Sequence, residues 1–219
     1  SSDYSTLRPA QEKAIKKGKS VVTANKALLA AEGKHLLRLA REFHKDIGFE
    51  ASVGGGIPIV KALRESFIAN KIESIYGIIN GTSNFILSKM EDEGMDFKSA
   101  LKEAQSRGYA EKNPALDISG FDSAHKLSIL TQISFGKSVS LSDIFVEGIV
   151  GIEPLDIRFA GEAGYAVKLL AIAKRFKNEL ELRVHPTLVS KNHLLSNIKG
   201  IYNAIYVKGD LIGEELIYG

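Results

Sequence analysis

The chain has 219 residues, 44% of them hydrophobic and 25% charged, with a formal net charge of +3. Zero cysteines exclude disulfides, thiol catalysis and cysteine-ligated zinc, and fit a cytoplasmic protein. The densest basic cluster, Lys13, Lys16, Lys17 and Lys19, lacks interleaved aromatics, and no apolar run approaches the roughly 20 residues of a membrane span, so neither nucleic acid nor membrane is an expected partner.

Residues 1–8 read as a tag or a ragged end. A short helix is expected from Pro9, suited to a first helical position, to Gly18 beyond its C-terminus. SVVTA (20–24) reads as a buried strand, and Asn25 then opens a helical stretch. Leu36, Ala40, Phe43 and Ile47 recur at 4, 3 and 4, the spacing of an amphipathic helix lying on a sheet. FEASV (49–53) is the next expected strand, followed by GGGIP and a helix to about Phe67. This strand–helix–strand order opens an α/β domain.

The glycine-rich SVGGGIPIV is not a phosphate loop, because it has neither GxGxxG order nor GK[ST], and Pro58 lacks an N–H donor. Two readings stay open: a tight turn bringing helix and strand together, or a loop whose carbonyl oxygens face a hard cation. ESIYGIING (73–81) is a strand ending in Asn80-Gly81-Thr82-Ser83-Asn84, either a cradle for a small polar substrate or a well-capped helix start. The next helix carries Ile86 and Met90 inward and stops at Gly94. Another, with Phe97, Ala100, Leu101 and Ala104 at core spacing, stops at Gly108.

Residues 108–126 concentrate the chemistry. GYAEKNPALDISGFDSAHK holds Glu111, Asp117, Asp122 and Lys126, and the apolar run LSILTQISF follows. In a helix starting near Asp122, Asp122 and Lys126 are i and i+4 and share a face with Ile129, Leu130 and Ile133. His125, Ser128, Thr131 and Gln132 look elsewhere. A charge pair at the head of an apolar stripe is either a helix anchor with Asp122 as its cap, or a site tuned for chemistry. From 145 onward, LELRVHPTLV and IYNAIYVKG alternate like antiparallel or mixed strands, with Lys208-Gly209-Asp210 as a hairpin-like turn before LIGEELIY. The five histidines show no HxxxH or HExxH spacing, and His125 alone lies beside the candidate site.

VVTANKALLA, FEASVGGGIP, GIINGTSNFIL, GYAEKNPALDISGFDSAHKLSIL and LRVHPTLV, in this order, resemble the catalytic and dimerisation part of homoserine dehydrogenase. The resemblance implies an α/β (α+β) fold: a mixed sheet with helices packed on it, like the C-terminal domain of glyceraldehyde-3-phosphate dehydrogenase. A residual edge of a Rossmann-type domain would occupy residues 1–48, and the catalytic and dimerisation domain residues 49–219. It implies interconversion of homoserine and aspartate semialdehyde with NADP or NAD, in a homodimer.

By the same resemblance Lys126 is the proton donor and Asp122 the substrate-contacting aspartate one turn earlier. Glu111 meets the substrate's amino end and Asp117 is a further site carboxylate; Thr82, from the NGTSN segment read above as a possible cradle, is a further candidate substrate contact. Lys26 reaches nicotinamide and substrate, Gly108 contacts the cofactor, and Glu50, Val53, Gly55 and Ile57 hold a sodium ion. No GxGxxG is present, so the resemblance also implies a fragment with weak cofactor affinity. A non-catalytic dimerisation module, and a related amino-acid dehydrogenase using the same lysine, are the other readings.

Overall fold

The computed structural model describes residues 6–177 and 179–219. The expectation for residues 1–8 therefore lies largely outside the described residues; Leu7 and Arg8 already belong to a helix. In chain order the elements are α1 (Leu7–Lys16), β1 (Val21–Val22), α2 (Lys26–Glu42), β2 (Ile47–Gly48), α3 (Ile59–Lys61), β3 (Ile72–Ile78), α4 (Gly81–Glu93), α5 (Phe97–Ser106), α6 (Ala115–Ile118) and α7 (Phe121–Phe135). They continue with β4 (Phe145–Val146), α8 (Pro154–Glu162), β5 (Tyr165–Phe176), β6 (Glu179–Ser190), β7 (Ala204–Gly209) and β8 (Gly213–Tyr218).

Two sheets result. β1 and β2 pair in parallel, and a mixed six-stranded sheet runs β4-β6-β5-β3-β7-β8, with only β4 and β6 parallel. Alternation along the strands sorts side chains to two faces. Ile75, Leu169, Ala171, Ala173, Ile205 and Val207 face the large core, where α2, α4 and α7 contribute Leu28, Leu36, Ile86, Leu87, Leu127 and Leu130. Ile78, Leu170, Ile172 and Ala204 face a second cluster, covered by Leu195 and Ile198. The expected mixed sheet with helices packed on it is the observed architecture.

Several local expectations are corrected. The strand at 20–24 is only two residues long, and Val22 is 90% exposed rather than buried, because β2 is its one partner among the described residues. FEASV is not a strand. Ser52 turns back to Phe49, its N–H and hydroxyl both donating to the Phe49 carbonyl at 3.0 and 2.6 Å, which closes a 3-10 turn over Glu50–Ser52. The spacing that carried the second helix to Ile47 also overran: α2 ends at Glu42, His44 turns at φ 51°, and Ile47 is buried on β2. Pro9 sits at the third position of α1 instead of the first. Asp122 does not cap α7; Gly120 precedes the helix and Asp122 lies in its first turn.

Two elements had no clear sequence signal. β5 is buried at every position from Ala166 to Ala173, so it shows no alternation, and Lys168 sits in the middle of that run. Lys168 is 1% exposed; its Nζ donates to the Ile198 carbonyl at 2.8 Å, and burial pushes its ammonium down to about 8. α8 begins with Pro154 and is closed by a reciprocal capping box between Glu153 and Asp156.

Candidate active site

Three chain segments converge on Asp122. Asn25 caps α2 by accepting the Leu28 N–H at 2.8 Å, which sets Lys26 at the head of that helix. Asn80 caps α4 in the same way, accepting the Ser83 N–H at 2.8 Å. α7 presents Asp122 and Lys126 one turn apart.

Asp122 is buried, and its two oxygens are divided between two ammonium groups. Oδ1 lies 2.7 Å from Lys26 Nζ, and Oδ2 lies 2.7 Å from Lys126 Nζ. Lys126 Nζ also donates to the Ile79 carbonyl at 2.7 Å. The Asn80 amide donates to Asp122 Oδ2 at 2.9 Å and to Asp117 Oδ1 at 2.7 Å. Burial pushes the Asp122 carboxyl upward, but Lys126, by charge and hydrogen bond, and then Lys26 outweigh it and hold the group below the ordinary carboxylate range. Asp117 goes the other way. Burial raises it, the Asn80 hydrogen bond opposes, and the neighbouring Asp122 charge adds to the rise. Two carboxylates a few residues apart are thereby driven to different affinities for a proton, a pattern typical of acid–base sites.

These groups line an open cleft of about 280 Å³ walled by Lys26, Asn80, Gly81, Thr82, Tyr109, Asp117, Asp122, Lys126 and Ile201. Its size suits a small polar metabolite. Thr82 Oγ1 donates to the Tyr109 carbonyl at 2.6 Å, tying the start of α4 to the segment after α5. Of the residues singled out in the sequence, Lys26, Thr82, Asp117, Asp122 and Lys126 are brought together here. Glu111 and Gly108 are exposed and do not line the cleft; Gly108 turns at φ +75° after α5, and the Glu111 carbonyl accepts from the Gln105 amide at 3.2 Å. His125 Nδ1 pairs with the Phe121 carbonyl at 2.8 Å. Asn80 was visible as a cap but not as the bridge between two carboxylates, and nothing local in the sequence marks Ile201 as a wall residue.

The Glu50–Ile57 loop lies apart from the cleft. Gly54 and Gly55 turn at φ +77° and +62°, and Val53 and Ile57 are buried. The Glu50 oxygens accept the Val60 and Lys61 N–H groups at 2.8 and 2.9 Å, so this carboxylate caps α3. Each oxygen retains a lone pair, and an acidic group beside a run of turned peptide units fits a cation such as sodium.

The family model for homoserine dehydrogenase matches residues 58–219. The chain is 50% identical over 207 residues to a homoserine dehydrogenase of Neisseria gonorrhoeae, covering 94% of this chain and 48% of that protein. A homoserine dehydrogenase structure from Thiobacillus denitrificans superposes with a TM-score of 0.94 at 51% identity, over 97% of this chain and 49% of that one. A hyperthermophilic archaeal homoserine dehydrogenase in complex with NADPH superposes with a TM-score of 0.82 at 31% identity, over 95% and 60% of the two chains. The chain spans about half the length of the curated relatives it matches.

Proposed function

The chain belongs to the homoserine dehydrogenase family, and from that premise we propose that the protein interconverts L-homoserine and L-aspartate 4-semialdehyde with NADP or NAD, in the biosynthesis of threonine, methionine and isoleucine. The observation that carries the reading is the single buried carboxylate of Asp122 shared by Lys26 and Lys126 at the wall of a small polar cleft.

In the reductive direction an aldehyde becomes an alkoxide, which needs a proton donor within about 3 Å. Lys126 is that donor. Its ammonium is aimed by Asp122 and by the Ile79 carbonyl, and its charge stabilises the oxyanion as it forms. In the oxidative direction the same nitrogen accepts the hydroxyl proton. Lys26, two-fifths exposed at its side chain while bonded to Asp122, fits a residue that meets a nicotinamide ring from the open side of the cleft. A nicotinamide held there would supply or take the hydride. The NADPH held by the archaeal relative supports this choice of cofactor class.

Asp117 and Glu111 supply the negative charge that a substrate ammonium requires, and Thr82 completes the substrate contacts. Both Glu111, assigned to the substrate, and Gly108, assigned to the cofactor, lie outside the lining but flank its Tyr109, and their assignments follow from family membership. The Glu50–Ile57 loop is assigned a sodium ion, held by Glu50 and by main-chain oxygens of Val53, Gly55 and Ile57. Residues 1–48 are read as the close of a nucleotide-binding domain and 49–219 as the catalytic and dimerisation domain, supported by the separate parallel pair β1–β2. Beyond the short β4, the edge of β6 exposes Leu188 at 59%, which supports pairing of two copies in a homodimer.

The test is cofactor-linked oxidation of L-homoserine by the full-length protein, with Glu111→Ala beside the wild type. Turnover with homoserine, and a raised KM at little-changed kcat in the variant, is the expected result. No turnover with homoserine or aspartate semialdehyde in either cofactor overturns the assignment.

A further inference from the structure

We propose that Asn80 is a positioning residue whose amide keeps Asp117 and Asp122 in separate roles, acting as a neutral donor shared between the two carboxylates. The inference deepens the dehydrogenase reading and rests on it for its kinetic arm.

The geometry leaves one orientation for the side chain. Asn80 is 6% exposed, and its Oδ1 is engaged by the Ser83 N–H at 2.8 Å. Its Nδ2 therefore faces Asp117 Oδ1 at 2.7 Å and Asp122 Oδ2 at 2.9 Å. Turning the amide over would set an oxygen against two carboxylate oxygens and two N–H donors against a third. An amide nitrogen has two protons, so each carboxylate receives one and neither has to share. A hydroxyl at this position offers one proton, and an ionised carboxyl none.

Charge bookkeeping points the same way. Asp117 and Asp122 face Lys26 from α2 and Lys126 from α7, two negative and two positive charges. Tyr109 is the remaining titratable residue of the wall. A cation at position 80 would draw Asp122 away from its lysines. An acceptor there would force the two aspartates to compete for a proton, because neighbouring like charges raise one of the two affinities. Asn80 lets Asp122 stay an anion for both lysines while Asp117 remains available to a ligand.

Asn80→Asp is the informative change, because aspartate is as good a helix N-cap as asparagine and so retains the Ser83 contact. The expected result is a folded protein melting within a few degrees of wild type. Its kcat/KM for homoserine at neutral pH falls about 100-fold or more, and part of the loss is recovered on the acid side, where a proton on the carboxyl cluster restores one donation. Asn80→Ser, with one proton to give, falls between the two.

Carbon-13 titration of the aspartate carboxyls, which needs no turnover, is expected to show separate transitions for Asp117 and Asp122 in the wild type. In Asn80→Asp it is expected to show a coupled, upward-shifted transition. If the wild type does not turn over homoserine, the dehydrogenase reading fails and the titration alone decides the role of Asn80. A role confined to capping would leave Asn80→Asp with wild-type carboxyl titrations, and in an active enzyme with the wild-type pH profile and kcat/KM within about threefold. That outcome overturns the proposal.

Discussion

Gly81 and Ile201 meet backbone to backbone: a Cβ at position 81 would lie 2.7 Å from the Ile201 carbonyl oxygen. Both residues line the cleft, so the contact sets how closely the 198–203 segment approaches the start of α4. Gly81→Ala forces that wall outward. Its expected cost is about 1–3 kcal/mol in denaturant unfolding, the usual range for overpacking, with a KM for homoserine that rises more than kcat falls.

Lys126→Met removes the proposed proton donor and keeps the length of the side chain. Turnover in the full-length enzyme is expected to drop by roughly 10²–10⁴, the range for losing a general acid–base group, with the fold retained by circular dichroism. Asp122→Asn keeps the shape but removes the anion that both lysines share, and its loss of kcat should match that of Lys126→Met. A loss confined to KM in both variants would assign the pair to binding alone.

Lys168 predicts a pH dependence of stability. Its folded value of about 8 lies below the ordinary 10.5, so between these values the unfolded chain binds a proton that the folded chain does not. Unfolding free energy must then rise as pH climbs from about 8 to about 10.5, and the full cost of the buried charge is present below pH 8. The gain is about 3 kcal/mol. Urea unfolding across this window checks it, and Lys168→Met is expected to flatten the slope.

Glu50 gives the sodium assignment a readout independent of activity. Removing its cap on α3 by Glu50→Ala should lower stability by about 1 kcal/mol. If the loop also holds sodium, the wild type melts higher in sodium chloride than in choline chloride at equal ionic strength, and the variant loses that difference. Equal melting of the wild type in both salts removes the sodium assignment and leaves the cap.

The parts of the site carried on one helix were legible in the sequence, and the parts made by distant segments were not. Asp122 and Lys126 share a face because four residues make about one turn, so their pairing follows from spacing alone. Lys26 reaches the same carboxylate from 96 positions upstream, and only the motif order of a resembling family pointed to it. Asn80 declared itself as a helix cap, which used its oxygen; the partners of its nitrogen come from α6 and α7. β5 was hidden by its own burial. A strand covered on both faces loses its period of two, and AVKLLAIA has the composition of a helix. FEASV misled in the opposite sense, because a serine hydroxyl three residues along turned a strand-like composition into a 3-10 turn.

Asp122 also ties two helices of the molecule together. One of its lysines rides on α2, beside the two-stranded sheet, and the other on its own helix. A shift of α2 away from α7 would take one of two ammonium groups from a buried carboxylate and leave its Oδ1 without that partner, so the seating of α2 on α7 is coupled to the ionic contacts of this one side chain.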